Sequence, residues 1–316
     1  MSSTQEAALG RAVVLRRPGF RQWMGRHRFE MALALPLVVY VLALTVAPIL
    51  DTLRLSLSGR TGADFPSLAN YRALWESAVF RKAFVNTIVV ALLSLTLELT
   101  IGMAVALALH ARFKFRGFVR TVVMVPLGVP TIVSGAVMLL LFARSGYLNS
   151  LMFSLADLVN RIPGVEWKFQ ALSWTVAGGW RTLLTVAVAD MWKVLPIVTL
   201  IFLAGLQSIP EDIYEAAAVD GATRWQRFSR ITLPMLVPFI TMAIILRAID
   251  AFRIFELALV LAGRVEPVLG TFIGGRYLPP TSDSFTAASA SMVLFVMIMV
   301  FIVAYLRLVA KRSEIR

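Results

Sequence analysis

Long apolar stretches separated by short polar ones set the pattern of this chain. Six of them run from about Met31 to Leu50, Phe84 to Leu109, Thr121 to Ala143, Leu183 to Leu206, Met235 to Leu261 and Phe285 to Leu308. Each is close to the roughly 20 residues that an α-helix needs to cross about 30 Å of hydrocarbon. Inside a bilayer no water satisfies the backbone, so stretches of this length and texture must be helical. The expectation is an all-α integral membrane protein with six transmembrane helices. The first run follows Arg16, Arg17, Arg21, Arg26 and Arg28, as an export signal would, but its length and the lack of a small-x-small cleavage site point to an uncleaved helix. The expected organisation is an N-terminal segment at 1–30, one membrane domain at 31–308 and a tail at 309–316. Leu68 to Phe80 and Asn149 to Val159 are amphipathic enough to lie flat at the membrane surface, near Tyr71, Trp75, Tyr147, Trp167, Trp174 and Trp180.

Six crossings leave both termini on one side, and Lys and Arg choose it. With the N-terminus inside, the inner segments carry 17 of the 31 basic residues, from Arg11–Arg28, Arg112–Arg120, Arg224–Arg230 and Arg307–Arg316. The outer loops are longer and more dilute, so both termini are expected to be cytoplasmic (N-in, C-in). This distribution accounts for the net charge of +13 without a nucleic-acid partner. Composition agrees with the hydropathy: 59% of residues are hydrophobic and 16% charged. Cysteine is absent, and His27 and His110 lie far apart, which excludes disulfides and thiol catalysis and argues against a metal site. No Gly-Lys dipeptide occurs, so there is no Walker A loop; neither His-Glu-x-x-His nor Gly-x-Ser-x-Gly is present. No catalytic residue is expected, and energy must come from a partner.

Charges within apolar runs are costly, at least about 2.5–3.5 kcal/mol at the bilayer centre, and must face protein or water. Asp190 and Lys193 share one face of the fourth run; Arg247, Asp250, Arg253 and Glu256 continue at three-residue spacing on the fifth. Both sets fit an outward vestibule in which carboxylates and cations meet the hydroxyls of a solute, with Trp192 or Phe252 against its apolar face. Equally, they fit ion pairs that lock the bundle. Glu98, alone in the second run, reads as a helix-packing hydrogen-bond partner. Each cation has a carboxylate nearby, which favours a neutral solute over a phosphate ester. Pro126, Pro130, Pro196, Pro234 and Pro238 fall in or beside helices, and Pro130 and Pro196 are expected to bend theirs.

The segment from Gln207 to Pro238 reads as helix, turn, helix. Pro210 opens the first helix, Glu211 and Asp212 sit in its first turn where the dipole favours anions, and Gly221 breaks it after Asp220. A second short helix starts near Thr223. Ala216, Ala217 and Ala218 make a smooth face; Trp225, Phe228 and Ile231 are apolar knobs, and Arg224, Arg227 and Arg230 form a basic stripe.

Glu215-Ala216-Ala217, Asp220-Gly221-Ala222, Phe228, Ile231, Leu233-Pro234 and Pro238 together resemble the EAA loop of binding-protein-dependent ABC importer permeases. The resemblance extends over the chain, narrowing to sugar permeases of the maltose, trehalose and glycerol-phosphate type. It rests on Leu35-Pro36 through Pro48 to Ser56, Leu68 to Tyr71, Val125-Pro126 with Pro130, Trp192-Lys193 with Pro196, and Arg247 to Phe255. It implies a type I ABC importer permease fold and a coupling loop at about 207–233 that docks on a cytoplasmic ATPase, with Glu215 and Gly221 carrying the coupling. The implied partners are a second homologous permease subunit, two ATPase subunits that bind ATP and Mg, an extracytoplasmic solute-binding protein, membrane lipid and a sugar, in the cytoplasmic membrane of a bacterium or archaeon. Arg264-Val-Glu-Pro267 departs from the glycine-rich turn usual there. A permease for glycerol phosphate, an amino acid or a metal chelate remains the nearest alternative. A secondary transporter would require an internal repeat, and none is evident.

Overall fold

The computed structural model describes residues 28–59, 64–111, 113–162, 164–175, 178–263 and 265–314. The cations Arg11, Arg16, Arg17, Arg21, Arg26, Arg60, Arg112, Arg264 and Arg316 therefore lie outside the described residues. Regular structure among the described residues is entirely helical. Helix α1 (Arg28–Ser56) is followed by α2 (Ala69–Glu76), α3 (Ala78–His110), α4 (Arg116–Gly128), α5 (Thr131–Leu141), α6 (Tyr147–Val159) and α7 (Trp180–Gln207). Then come α8 (Glu211–Val219), α9 (Arg224–Met235), α10 (Val237–Phe252), α11 (Glu256–Leu261), α12 (Leu269–Tyr277) and α13 (Ser284–Glu314).

Helices α1, α3, α7 and α13 are each long and apolar enough to span a membrane; the count reaches six if α4 with α5 and α9 with α10 each make one bent span. The third apolar run is thus not one straight helix. It breaks by 104° between Gly128 and Thr131, where Pro130 has no N–H to continue the ladder. The fifth run also differs from expectation. It bends by 62° at Leu236, between Pro234 and Pro238, and its helix stops at Phe252 before α11 starts. By contrast, Pro196 lies inside an unbroken α7. The described residues fall into two compact units, 28–51 and 52–314. In the first, none of Arg28–Val41 is buried, consistent with apolar side chains all round the helix.

In the second unit α3 packs along α7, and glycines set the distance. A Cβ on Gly102 of α3 would come 2.8 Å from Val198 of α7. One buried cluster joins Ala106 and Leu109 of α3 to Phe202 and Leu206 of α7 and to Ile209 and Leu236, so these residues share one end of the bundle with the α8–α9 hairpin. At the opposite end Val90 of α3, Met138 of α5, Val186 of α7 and Leu257 of α11 form a second cluster. The two short helices expected outside the spans are α2 and α6; Asn149 anchors α6, donating to the carbonyl of Leu172 at 2.9 Å and accepting its N–H at 3.1 Å.

Gly205 supplies the tightest contact at the hairpin end: a Cβ there would lie 2.6 Å from Leu236 and 2.7 Å from Phe239. Gly205→Val is expected to destabilise the fold by about 1–3 kcal/mol through overpacking. Gly128→Ala, whose new carbon meets nothing within 4 Å, serves as the control. Equal thermal melting of the two detergent-solubilised variants would contradict this packing.

Candidate functional site

Midway along the bundle Arg247 of α10 is 2% exposed, and its guanidinium reaches three carboxylates on three helices. Its Nε donates to Glu98 Oε2 at 2.9 Å and its Nη2 to Glu98 Oε1 at 3.1 Å, a two-pronged contact with a carboxylate that is fully buried in α3. Nη2 also reaches Asp190 Oδ2 of α7 at 3.4 Å, and Nη1 reaches Asp250 Oδ2 at 3.1 Å. Asp250 in turn accepts from Arg253 Nη2 at 3.2 Å. The network runs from the core to the surface: side-chain exposure is 0% at Glu98, 10% at Asp190, 45% at Asp250 and 68% at Arg253. A group of this kind binds three helices together and offers its outer pair, acceptor Asp250 and donor Arg253, to whatever faces it.

The expected pathway residues therefore separate. Asp190, Arg247, Asp250 and Arg253 come together, joined by Glu98, whose lone placement in α3 concealed that it is the principal partner of Arg247. Lys193 does not pair with Asp190. Its ammonium donates to the carbonyl of Val129, at the α4–α5 break, and reaches that of Pro126, which also accepts the Val129 N–H at 3.3 Å. Phe252 is 2% exposed and packs beside Phe301 with a 5.2 Å ring separation, so it is a core residue with no face free for a sugar. Trp192 is partly buried against the second cluster, and Glu256, beyond the end of α10, is exposed.

The hairpin is built by local rules. Asp220, Gly221 and Ala222 close α8: Gly221 N–H bonds to Ala218 O at 3.1 Å and Ala222 N–H to Ala217 O at 2.9 Å, a Schellman turn with Gly221 at φ +74°. Thr223 and Gln226 then cap α9 reciprocally, with Gln226 N–H on Thr223 Oγ1 at 3.3 Å and Thr223 N–H on Gln226 Oε1 at 2.8 Å. Glu215, Ala216, Asp220 and Gly221 are exposed, Ala217, Ala222 and Phe228 half-buried, and Val219 and Trp225 stand out at 89% and 72% exposure. At the base Tyr214 and Thr232 hydroxyls meet at 2.9 Å, Leu233 and Pro234 lead into the bend, and Leu236 seats against Gly205. An apolar tip is presented outward while the root interlocks with α7 and α10.

A third cluster, at the opposite end, had no signal in the sequence beyond an unusual turn. Glu266, 5% exposed, accepts from Gly179 N–H at 2.6 Å, Lys82 Nζ at 3.0 Å and Asn86 Nδ2 at 3.0 Å. Asn86 also holds Pro267 O, and Lys82 holds Val265 O, both at 3.0 Å. Burial by itself pushes the Glu266 carboxyl up, but these donors outweigh it and hold its pKa below the ordinary 4.5.

The residues match, over 98–313, the family of binding-protein-dependent transport system inner membrane components. The chain is 33% identical over 289 residues to the trehalose/maltose transport system permease protein MalF of Thermococcus litoralis, covering 86% of this chain and 90% of that one. It is 34% identical over 257 residues to the trehalose transport system permease protein SugA of Mycobacterium tuberculosis, covering 79% and 77%. Among solved structures it superposes on a chain of a bacterial alginate ABC transporter in complex with alginate pentasaccharide-bound periplasmic protein. The TM-score is 0.74 at 22% identity, over 90% of this chain and 94% of that one.

Two outcomes test the clusters. Arg247→Met strands Glu98 and Asp190 without their cation and is expected to cost about 3–5 kcal/mol, whereas the triple change Glu98→Gln, Asp190→Asn, Arg247→Met recovers much of it; thermal melting of the purified protein reads both. Glu266, with a folded pKa below its unfolded value, contributes stability that is present above pH 4.5 and is lost as pH falls through the folded value. Melting temperature should accordingly drop more steeply in acid for the wild type than for Glu266→Gln, and parallel curves would remove the clamp.

Proposed function

The chain belongs to the binding-protein-dependent transport system inner membrane components, and we propose that it is one permease subunit of an ATP-driven sugar importer working by alternating access. The observation that carries this reading is the α8–α9 hairpin, whose exposed tip and interlocked root suit a lever between a partner and the membrane helices. In this reading the hairpin end is cytoplasmic, both termini lie on that side, and α4 with α5 and α9 with α10 each count as one bent span of six. A cytoplasmic ATPase subunit holds ATP and Mg and receives Glu215, Ala216, Ala217, Asp220, Gly221, Ala222 and Phe228 of the hairpin. Closure of two such subunits pushes Leu233, Pro234 and Leu236, and the seat of Leu236 on Gly205 carries the push into α7 and α10. A second, homologous permease subunit completes the path.

The solute is a sugar, with a disaccharide such as trehalose or maltose favoured by the two relatives named above. Asp250 and Arg253, exposed and paired with each other, supply one acceptor and one donor for hydroxyl groups, with Glu256 three residues beyond Arg253 and Trp192 two beyond Asp190. An anionic solute would want cations free of carboxylates, and both guanidinium groups of the cluster already have them. Arg247, Glu98 and Asp190 hold this pair in place; Lys193 steadies the α4–α5 bend.

Radiolabelled trehalose and maltose uptake, measured with ATP hydrolysis in the reconstituted complex, tests the assignment. Gly221→Asp puts a side chain on a φ of +74° and, with Glu215→Lys, is expected to cut uptake at least about tenfold, equivalent to about 1.4 kcal/mol of lost coupling. Asp250→Ala should change the sugar concentration dependence instead. Normal transport by both hairpin variants would defeat the importer reading, and competition by glycerol phosphate or an amino acid rather than by disaccharide would replace the solute.

A further inference from the structure

A pocket of about 390 Å³ opens where two of the spanning helices begin, at the end of the bundle remote from the hairpin. Ala73 and Leu74 of α2, Phe272 and Arg276 of α12 and Thr286 of α13 line it, together with Ser77 and Asp283, the residues directly ahead of α3 and α13. Ser77 and Asp283 cap those helices: Ser77 Oγ accepts from Phe80 N–H at 3.4 Å, and Asp283 Oδ1 from Thr286 N–H at 3.1 Å. The apolar run of α13 starts at Phe285 and that of α3 at Phe84, two and seven residues farther on. The pocket therefore falls at the depth of lipid headgroups, just outside the hydrocarbon. It also carries one charge of each sign. Neither Arg276 nor Asp283 has an ion-pair partner among the described residues, although the Asp283 N–H bonds to the Arg276 carbonyl at 2.8 Å. The Arg276 guanidinium lies instead over the Phe272 ring, 5.3 Å from its centre, while the cap holds the Asp283 carboxylate. Two half-buried opposite charges thus face one cleft without cancelling each other.

We propose that this pocket holds the headgroup of a zwitterionic phospholipid with a primary ammonium, a phosphatidylethanolamine, its phosphate on Arg276 and its ammonium on Asp283. The site requires only that the chain spans a membrane; that the leaflet is the outer one rests on the importer reading given above. Three features favour this occupant. Donors suited to a phosphate converge on the cleft, namely the Arg276 guanidinium and the hydroxyls of Ser77 and Thr286, and the N-terminal ends of α3 and α13 add dipoles that favour an anion. Asp283 repels a headgroup that is anionic only, and offers an acceptor to an ammonium. Exposed apolar side chains flank the lining residues in the chain, Trp75 and Val79 on either side of Ser77, and Tyr277 and Leu278 directly after Arg276. They give acyl chains and the membrane interface something to meet, which a soluble zwitterion could not use.

Photocrosslinking in nanodiscs provides the test, with the complete complex in an equimolar mixture of phosphatidylethanolamine and phosphatidylglycerol bearing the same acyl chains. A benzophenone amino acid in place of Tyr277, which is 63% exposed beside the pocket, samples the lipid seated there, and mass spectrometry identifies it. The expected product is phosphatidylethanolamine, favoured roughly fivefold or more. Arg276→Gln should lower the total lipid yield roughly fivefold, the effect of losing one cation near a membrane surface, and Arg276→Lys should keep most of it. Asp283→Asn still caps α13 and should bring the ratio of the two lipids close to one, a change that general loosening of the helix ends would not produce. Equal yields of the two lipids in the unaltered pocket, crosslinks to protein alone, or a ratio unmoved by Asp283→Asn would each overturn the site. Soluble phosphoethanolamine in molar excess should leave the lipid yield unchanged; suppression of that yield would reassign the pocket to a free zwitterion and overturn the lipid. The measurement uses neither ATP nor sugar, so its failure leaves the importer reading standing, and a failure of uptake leaves the lipid site standing.

Discussion

A guanidinium set deep within a membrane bundle has few acceptable surroundings, and Arg247 has built them from three helices. Removing a cation from water is offset only when hydrogen bonds and opposite charges surround it closely. Glu98 meets it with both oxygens from α3, Asp190 approaches from α7 and Asp250 from its own helix. This requirement dictates how α3, α7 and α10 face one another. It also explains why only the outer members of the cluster, Asp250 and Arg253, remain accessible. The same interaction thus fixes helix register and selects the polar groups available to a solute.

Around that centre, close approach of backbones does the work that large apolar side chains do in water-soluble cores. Transfer between lipid and helix interface gives little hydrophobic gain, so packing depends on small residues that let helices touch. Gly102 admits Val198, Gly135 admits Val260 and Gly205 admits Leu236 with Phe239. The last contact joins two parts of the fold. It places the root of the hairpin directly on α7, with no soft layer of side chains between them. The broken helices add the complementary property: at the end of α4 the Val129 carbonyl takes Lys193 and the Pro126 carbonyl takes the Val129 N–H, which permits a sharp bend with these carbonyls satisfied.

At the far end a different solution holds the chain. Glu266, Asn86 and Lys82 knit loop to helix by polar contacts, where water is near and buried apolar area is limited. The helix breaks lie elsewhere, at residues 128–131, 236 and 253–255.

Much of this was legible in the residues themselves. Hydropathy determined the helical membrane class, because a run of about 20 apolar residues has one stable form in lipid. The hairpin from Pro210 to Leu236 was also readable, since proline, glycine and a Thr-x-x-Gln cap act over three or four residues and need no distant partner. Long-range pairing was not. Glu98 and Arg247 stand 149 positions apart, and spacing along one helix suggested Asp190 with Lys193, a pairing that the α4–α5 break diverted to backbone carbonyls. Phe252 was read as an aromatic open to a solute, yet it is buried beside Phe301 of α13. Glu266 gave no sign of its role, for its donors come from α3 and from a glycine turn 87 residues earlier. Local chain chemistry therefore determined which segments are helices and where they turn; which charges meet was decided by tertiary structure, because a buried ion is stable only beside partners that folding alone brings near.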